Sequence, residues 1–184
     1  NSDFTYVDNT VFILDNTAPQ ISSVSPGADS YEKEGGMQLG YTLTEVNGPI
    51  ESGTVQFEAI SGPGGSFTVN LEGDDLVSGT LASITNQDEI TAGVEDGTVY
   101  NIVFTTVDFA GNTGTHTVQN VTYDTTAPYA SLSFSQPYAS GDSIVTVTAT
   151  FSEGMANELD TIPNIVLYFG EYDEEEEEYN SSIQ

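Results

Sequence analysis

Asp15-Asn16-Thr17-Ala18-Pro19 returns as Asp124-Thr125-Thr126-Ala127-Pro128. The interval of 109 residues is close to the length of one β-sandwich domain. The flanking sequence repeats with it. Phe4-Thr5-Tyr6-Val7-Asp8 precedes the first copy and Phe104-Thr105-Thr106-Val107-Asp108 the second. Tyr41-Thr42-Leu43-Thr44-Glu45 and Ala149-Thr150-Phe151-Ser152-Glu153 follow them at nearly equal distances. Self-similarity at one long period marks a tandem array. Residues 1–14 therefore read as the last hairpin of one domain, 15–123 as a complete domain, and 124–184 as the first half of a third, with an acidic loop at 171–178. A hairpin donated between chains could complete the half-domain, but the two flanks together fall well short of one period. A piece of a longer array is the expectation.

Composition narrows the function classes. The 184 residues carry 29 acidic side chains against one basic one, Lys33, for a net charge of −28. Nothing is available to neutralise phosphates, so no nucleic-acid partner is expected. An anionic membrane surface is disfavoured for the same reason, and no stretch reads as a signal peptide or a membrane-spanning helix. Ten tyrosines and nine phenylalanines, within 37 % hydrophobic residues, are enough for a core. The charge must be tolerated on compaction, which suits a saline or cation-rich extracellular setting. The lack of cysteine excludes disulfides and thiolate metal sites. Asn120-Val121-Thr122 and Asn180-Ser181-Ser182 are N-glycosylation sequons by pattern.

Alternation with period two dominates the chain. Met37, Leu39, Tyr41 and Leu43 read as one half-buried strand, Val55, Phe57 and Ala59 as the next, then Phe67, Val69 and Leu71. Gly62-Pro63-Gly64-Gly65 supplies a hairpin connection between the last two. Tyr100 to Thr106 and His116 to Tyr123 are further strands, and 76–84 and 89–94 are expected to add two more. In the third unit, strands are expected over 130–134, 143–151 and 165–169. About seven short strands with regular turn signals describe an all-β, immunoglobulin-like antiparallel sandwich. The acidic turn opening Asp96-Gly97-Thr98-Val99-Tyr100 ahead of the penultimate strand resembles the tyrosine corner of such folds.

The Asp-x-Thr-Ala-Pro linkers, the Asp108-Phe109-Ala110-Gly111-Asn112 turn and the Phe151-Ser152-Glu153 strand end resemble tandem bacterial Ig-like domains of giant surface adhesins and surface-layer proteins. The resemblance implies a stalk or lattice role, neighbouring Ig-like domains of the same chain as partners, and Ca²⁺ at domain junctions.

In such a sandwich the entering linker and the loops after the second and sixth strands share one end. Asp15, Glu45 and Asp108 should converge there, with Asn112 and the carbonyls of 109–111 as further ligands. Oxygen ligands alone suit Ca²⁺, which accepts about six to eight of them in irregular geometry. The second junction would use Asp124 and Glu153, whereas Asp8 would belong to the preceding domain. The competing reading makes Asp15, Asp108 and Asp124 plain Asx turns. Asp74, Asp75, Asp88, Glu89, Glu95 and Asp96 are expected on a solvated acidic surface, and the run from Asp173 to Glu178 as a solvated hairpin tip.

Catalysis is not expected. The single histidine, His116, lies in an alternating strand, and no nucleophile elbow, phosphate loop or metalloprotease motif accompanies it. The leading expectation is a non-catalytic structural module of a secreted cell-surface protein, able to self-assemble if it forms a coat. The alternatives are a carbohydrate-binding or accessory domain of a secreted enzyme, or a phage or virus surface domain. Tyr31, Phe109, Tyr129 and Tyr138 are the aromatics such sugar binding would use, although tryptophan is lacking.

Overall fold

Thr98–Asp108 shows how parity builds the sheets. Every even-numbered residue of this strand is buried and every odd one is partly exposed, because successive side chains point to opposite faces. The computed structural model describes residues 14–33, 35, 37–137 and 143–154, together with the backbone of 171–173 and 178–180. The chain divides into two compact units, Asn1–Thr126 and Ala127–Gln184.

The first unit contains β1 (Gln20–Ser25), β2 (Tyr31–Glu32), β3 (Gly40–Thr44), β4 (Ile50–Ser61), β5 (Phe67–Asn70), β6 (Gly79–Leu81), β7 (Thr98–Asp108) and β8 (Thr113–Tyr123). They form a three-stranded sheet, β1-β3-β6, and a five-stranded sheet, β2-β8-β7-β4-β5. β2 lies parallel to β8, and the other pairs are antiparallel. Ile21, Tyr41 and Leu43 from the first sheet, with Leu39 just ahead of β3, share one core with Val55, Phe57, Ile102 and Phe104 from the second. Each such side chain contributes about 2 kcal/mol on burial. Tyr41 and Phe104 meet edge to face with ring centroids 5.4 Å apart.

Two local devices complete the packing. The Tyr100 hydroxyl accepts the Glu95 N–H at 3.1 Å, which ties the turn before β7 to the core. In β8, the ladder slips at Asn120, which takes φ +57°. That bulge resets the alternation, so Val118, Val121 and Tyr123 all face inward.

The expected strands at Met37–Leu43, Val55–Ala59, Phe67–Leu71, Tyr100–Thr106 and His116–Tyr123 correspond to β3, β4, β5, β7 and β8. Between 76 and 84 the strand is only Gly79–Leu81, preceded by a 3-10 turn at Gly73–Leu76. The expected strand over 89–94 is instead a helix, α1 (Gln87–Gly93). Ile90 is its buried anchor, and the Val94 N–H caps it by donating to the Ile90 carbonyl at 3.0 Å. Asp75 is not on the surface either. Its carboxylate is buried and accepts the Thr85 N–H and hydroxyl and the Glu72 N–H, holding the connection from β5 to α1. Burial first, and the nearby Asp75 charge second, push the Tyr41 phenol well above its ordinary value.

In the second unit, β9 (Ala130–Phe134) pairs antiparallel with β10 (Val147–Phe151). This ladder begins later than the expected start at 143. Alternation puts Ala130, Leu132 and Phe134 on one face with Val147, Ala149 and Phe151. β11 (Glu171–Asp173) pairs antiparallel with β12 (Glu178–Asn180), and the expected hairpin tip at 174–177 lies outside the described residues. The expected hairpin at 1–14, apart from Leu14, and the strand at 165–169 lie outside the described residues.

Candidate metal centre

Strand parity places two carboxylates at one end of the core. Tyr100, Ile102, Phe104 and Thr106 fill the inward phase of β7, and the next inward position is Asp108. Leu39, just ahead of β3, and Tyr41 and Leu43 within it face the core, and the next position in that phase, just past the strand, is Glu45. One residue comes from each sheet. The linker ahead of β1 adds Asp15, and a carboxylate oxygen from each of the three lies within 4.8 Å of the others. Asp108 is fully buried, and Asp15 and Glu45 are partly so.

Asp108 is held from its own loop. Its Oδ1 accepts the Ala110 and Asn112 N–H at 2.8 and 2.9 Å, and its Oδ2 accepts Asn112 Nδ2–H at 2.8 Å. Gly111 takes φ +89° in this tight return, a conformation glycine tolerates without strain. Burial pushes the Asp108 pKa up, but the bonds from the Asn112 side chain and from the Asn112, Ala110 and Gly111 backbone outweigh it. The net position is below the usual carboxylate value.

Asp15 accepts the Thr17 N–H on Oδ1 at 2.9 Å, an Asx turn, and takes Asn47 Nδ2–H on the same oxygen at 3.1 Å. Asn112 reaches back to donate to the Asp15 carbonyl at 3.2 Å. Asn112 thus enters as a clamp, turning its donor nitrogen towards the linker and towards Asp108.

Glu45 is fixed from both sides. Its N–H donates to Ser78 Oγ at 3.0 Å, and Ser78 donates back to its carbonyl at 3.3 Å. Oε1 accepts the Val46 and Asn47 N–H at 2.7 and 2.9 Å. Oε2 is buried and has no hydrogen-bond partner among the described residues. A buried acceptor left so costs about 1–3 kcal/mol. Two like charges some 5 Å apart repel by roughly 3 kcal/mol at an effective dielectric near 20. A hard divalent cation would offset both terms, and an all-oxygen donor set fits one. An open depression beside the trio is lined by Leu14, Asp15, Asn47, Pro49, Phe109 and Asn112.

Asp124 and Glu153, expected at a second junction, fall in different units. Asp124 is in the first unit, where its Oδ1 accepts the Thr126 N–H at 3.0 Å. Glu153 is exposed in the second unit, after β10. Asp96 stands apart from the solvated acidic groups. Its Oδ1 accepts the Thr125 N–H at 2.5 Å and its Oδ2 the Thr126 hydroxyl at 2.6 Å. Those bonds, the Thr126 hydroxyl first, hold its pKa below the ordinary value. Sequence reasoning missed Asn47 and Ser78, whose contacts with the trio depend on loop paths that no periodicity encodes.

No protein-family profile, no curated protein and no solved structure matches this chain, so the chemistry of the site rests on its own geometry. No helix among the described residues is long and apolar enough to cross a membrane.

Proposed function

We propose that the chain is a non-catalytic structural segment of an extracellular surface protein, with its first unit an immunoglobulin-like repeat stiffened by Ca²⁺. Lettered in chain order, the strands give sheets A-B-E and A′-G-F-C-C′, with Tyr100 as a tyrosine corner, which supports the fold assignment. The observation that carries the cation is Glu45 Oε2, buried without a partner beside Asp15 and Asp108. Asp15, Glu45 and Asp108 would hold the ion, and Asn112 would orient two of them. The ion would join the entering linker to both sheets, so that occupancy fixes the path of the chain into the unit. Repeats of this kind would serve as a stalk or tile a coat. Ca²⁺-dependent lateral assembly would favour the coat, and an extended monomer the stalk.

Thermal unfolding with Ca²⁺, with chelator, and with Mg²⁺ or NaCl at matched ionic strength tests the reading. A ligand that binds only the folded state raises the midpoint in proportion to ln(1 + [L]/Kd). A rise specific to Ca²⁺ and absent from Asp108→Asn is expected. An equal response to all three salts means charge screening, and the site would then be abandoned.

A further inference from the structure

Asn47-Gly48 is the one Asn-Gly pair in the chain, and it lies in the loop between β3 and β4 beside the carboxylate trio. Asparagine followed by glycine is the dipeptide most open to loss of the side-chain amide. No β-carbon on the following residue shields the backbone nitrogen that attacks.

The fold does not require glycine at this position. Gly48 is not among the residues with positive φ, and a β-carbon added there would meet nothing within 4 Å. No acceptor among the described residues takes its N–H. Asn47 is exposed and lies in a bend outside the ladders. Its Nδ2, the leaving nitrogen, faces Asp15 Oδ1 at 3.1 Å and Thr17 Oγ1 at 3.5 Å. Asp96-Gly97 provides the contrast. Gly97 needs its φ of +72°, and its N–H is committed to the Tyr123 carbonyl at 2.8 Å.

We infer that Asn47 is a spontaneous deamidation site that installs a fourth carboxylate at the trio. The Gly48 nitrogen bonds to Asn47 Cγ, the Cγ–Nδ2 bond breaks, and the nitrogen leaves as ammonia with the proton that Gly48 gives up. Water then opens the cyclic imide at either carbonyl, yielding aspartate or its isoaspartyl isomer. The net change is uptake of water and loss of ammonia, with no redox partner. The product replaces a donor to Asp15 with a charge. This consequence rests on the cation reading above: the fourth carboxylate adds repulsion in the free state and an oxygen ligand in the loaded one, so dependence on the cation grows with age.

The test follows the peptide containing residue 47 by mass spectrometry while the purified chain ages at mildly alkaline pH. Electron-transfer fragmentation separates the two isomers. Progressive amide-to-acid conversion is expected at Asn47 in the folded protein, with most of the signal lost in Gly48→Ala. An intact amide at 47 after the interval in which an unfolded sample has converted overturns the proposal. Asn47→Asp should widen the gap between the Ca²⁺ and chelator midpoints. Conversion in a protein whose midpoint ignores Ca²⁺ upholds the modification and sinks the cation reading alone.

Discussion

At Asp15 and again at Asp124, Oδ1 accepts the N–H of the threonine two residues later, at 2.9 Å and 3.0 Å. The surroundings then diverge. The first turn is met by Glu45 and Asp108, with Asn47 and Asn112 as donors. The second is met by Asp96, which binds the N–H of Thr125 and the hydroxyl of Thr126. The shared motif specifies the turn. Whether that turn joins a carboxylate cluster is decided elsewhere, by the phase in which β3 and β7 reach the end of the core. The Asx-turn and metal readings of Asp15 are therefore compatible, since Thr17 and Asn47 both use Oδ1.

The largest effect should come from paired substitutions in the two motifs. At a Ca²⁺ excess of about a hundredfold over Kd, the rise should be roughly 10 °C, from about 2.7 kcal/mol of linkage. Asp15→Asn should lose that rise and Asp124→Asn should keep it. Equal loss in both would break the distinction between the turns. Next in size is Tyr100→Phe, which strands the Glu95 N–H one residue from Asp96. A loss of about 1–2 kcal/mol, or roughly 5 °C, is expected by calorimetry, with the Ca²⁺ response intact.

Hydrogen exchange sharpens the comparison further. Asn112→Ala should loosen the first linker and speed exchange at Thr17, whereas Asp96→Asn should speed it at Thr125. Crossed effects would show that the two turns are not independent. The smallest effect is in acid. Asp96 and Asp108 both have depressed folded pKa values. Their stabilisation is therefore full above the unfolded value of about 3.9 and fades as pH falls through the lower folded values. In chelator, the double variant Asp96→Asn, Asp108→Asn should flatten the slope of the unfolding midpoint in that acid range, and an unchanged slope would assign acid lability to other carboxylates.

Period-two segments were legible because one face of each is buried, as along β7. Helix α1 was misread although Ile90 and Val94 stand at helical spacing after the acidic Asp88 and Glu89. A seven-residue helix leaves too few periods to outweigh the surrounding alternation. The two-residue strand β2 carries no periodicity at all. Asp15, Glu45 and Asp108 could be grouped because the linker ahead of β1 and the ends of β3 and β7 share one pole of the unit. Asp75 was misplaced because Glu72 meets it across a 3-10 turn and Thr85 reaches it from the loop ahead of α1, contacts that hydrophobic patterning does not register.

The parallel pairing of β2 with the end of β8 has a mechanical consequence. The Asp29 N–H donates to Gln119 O at 3.0 Å, the Thr122 N–H to Ser30 O at 2.9 Å and the Asp124 N–H to Glu32 O at 2.8 Å. Tension applied at Asp15 and Thr126 pulls two parallel strands in opposite directions along their length. The three bonds are then loaded together in shear instead of being unzipped one at a time, so the strand pair nearest the exit also serves as a latch against extension.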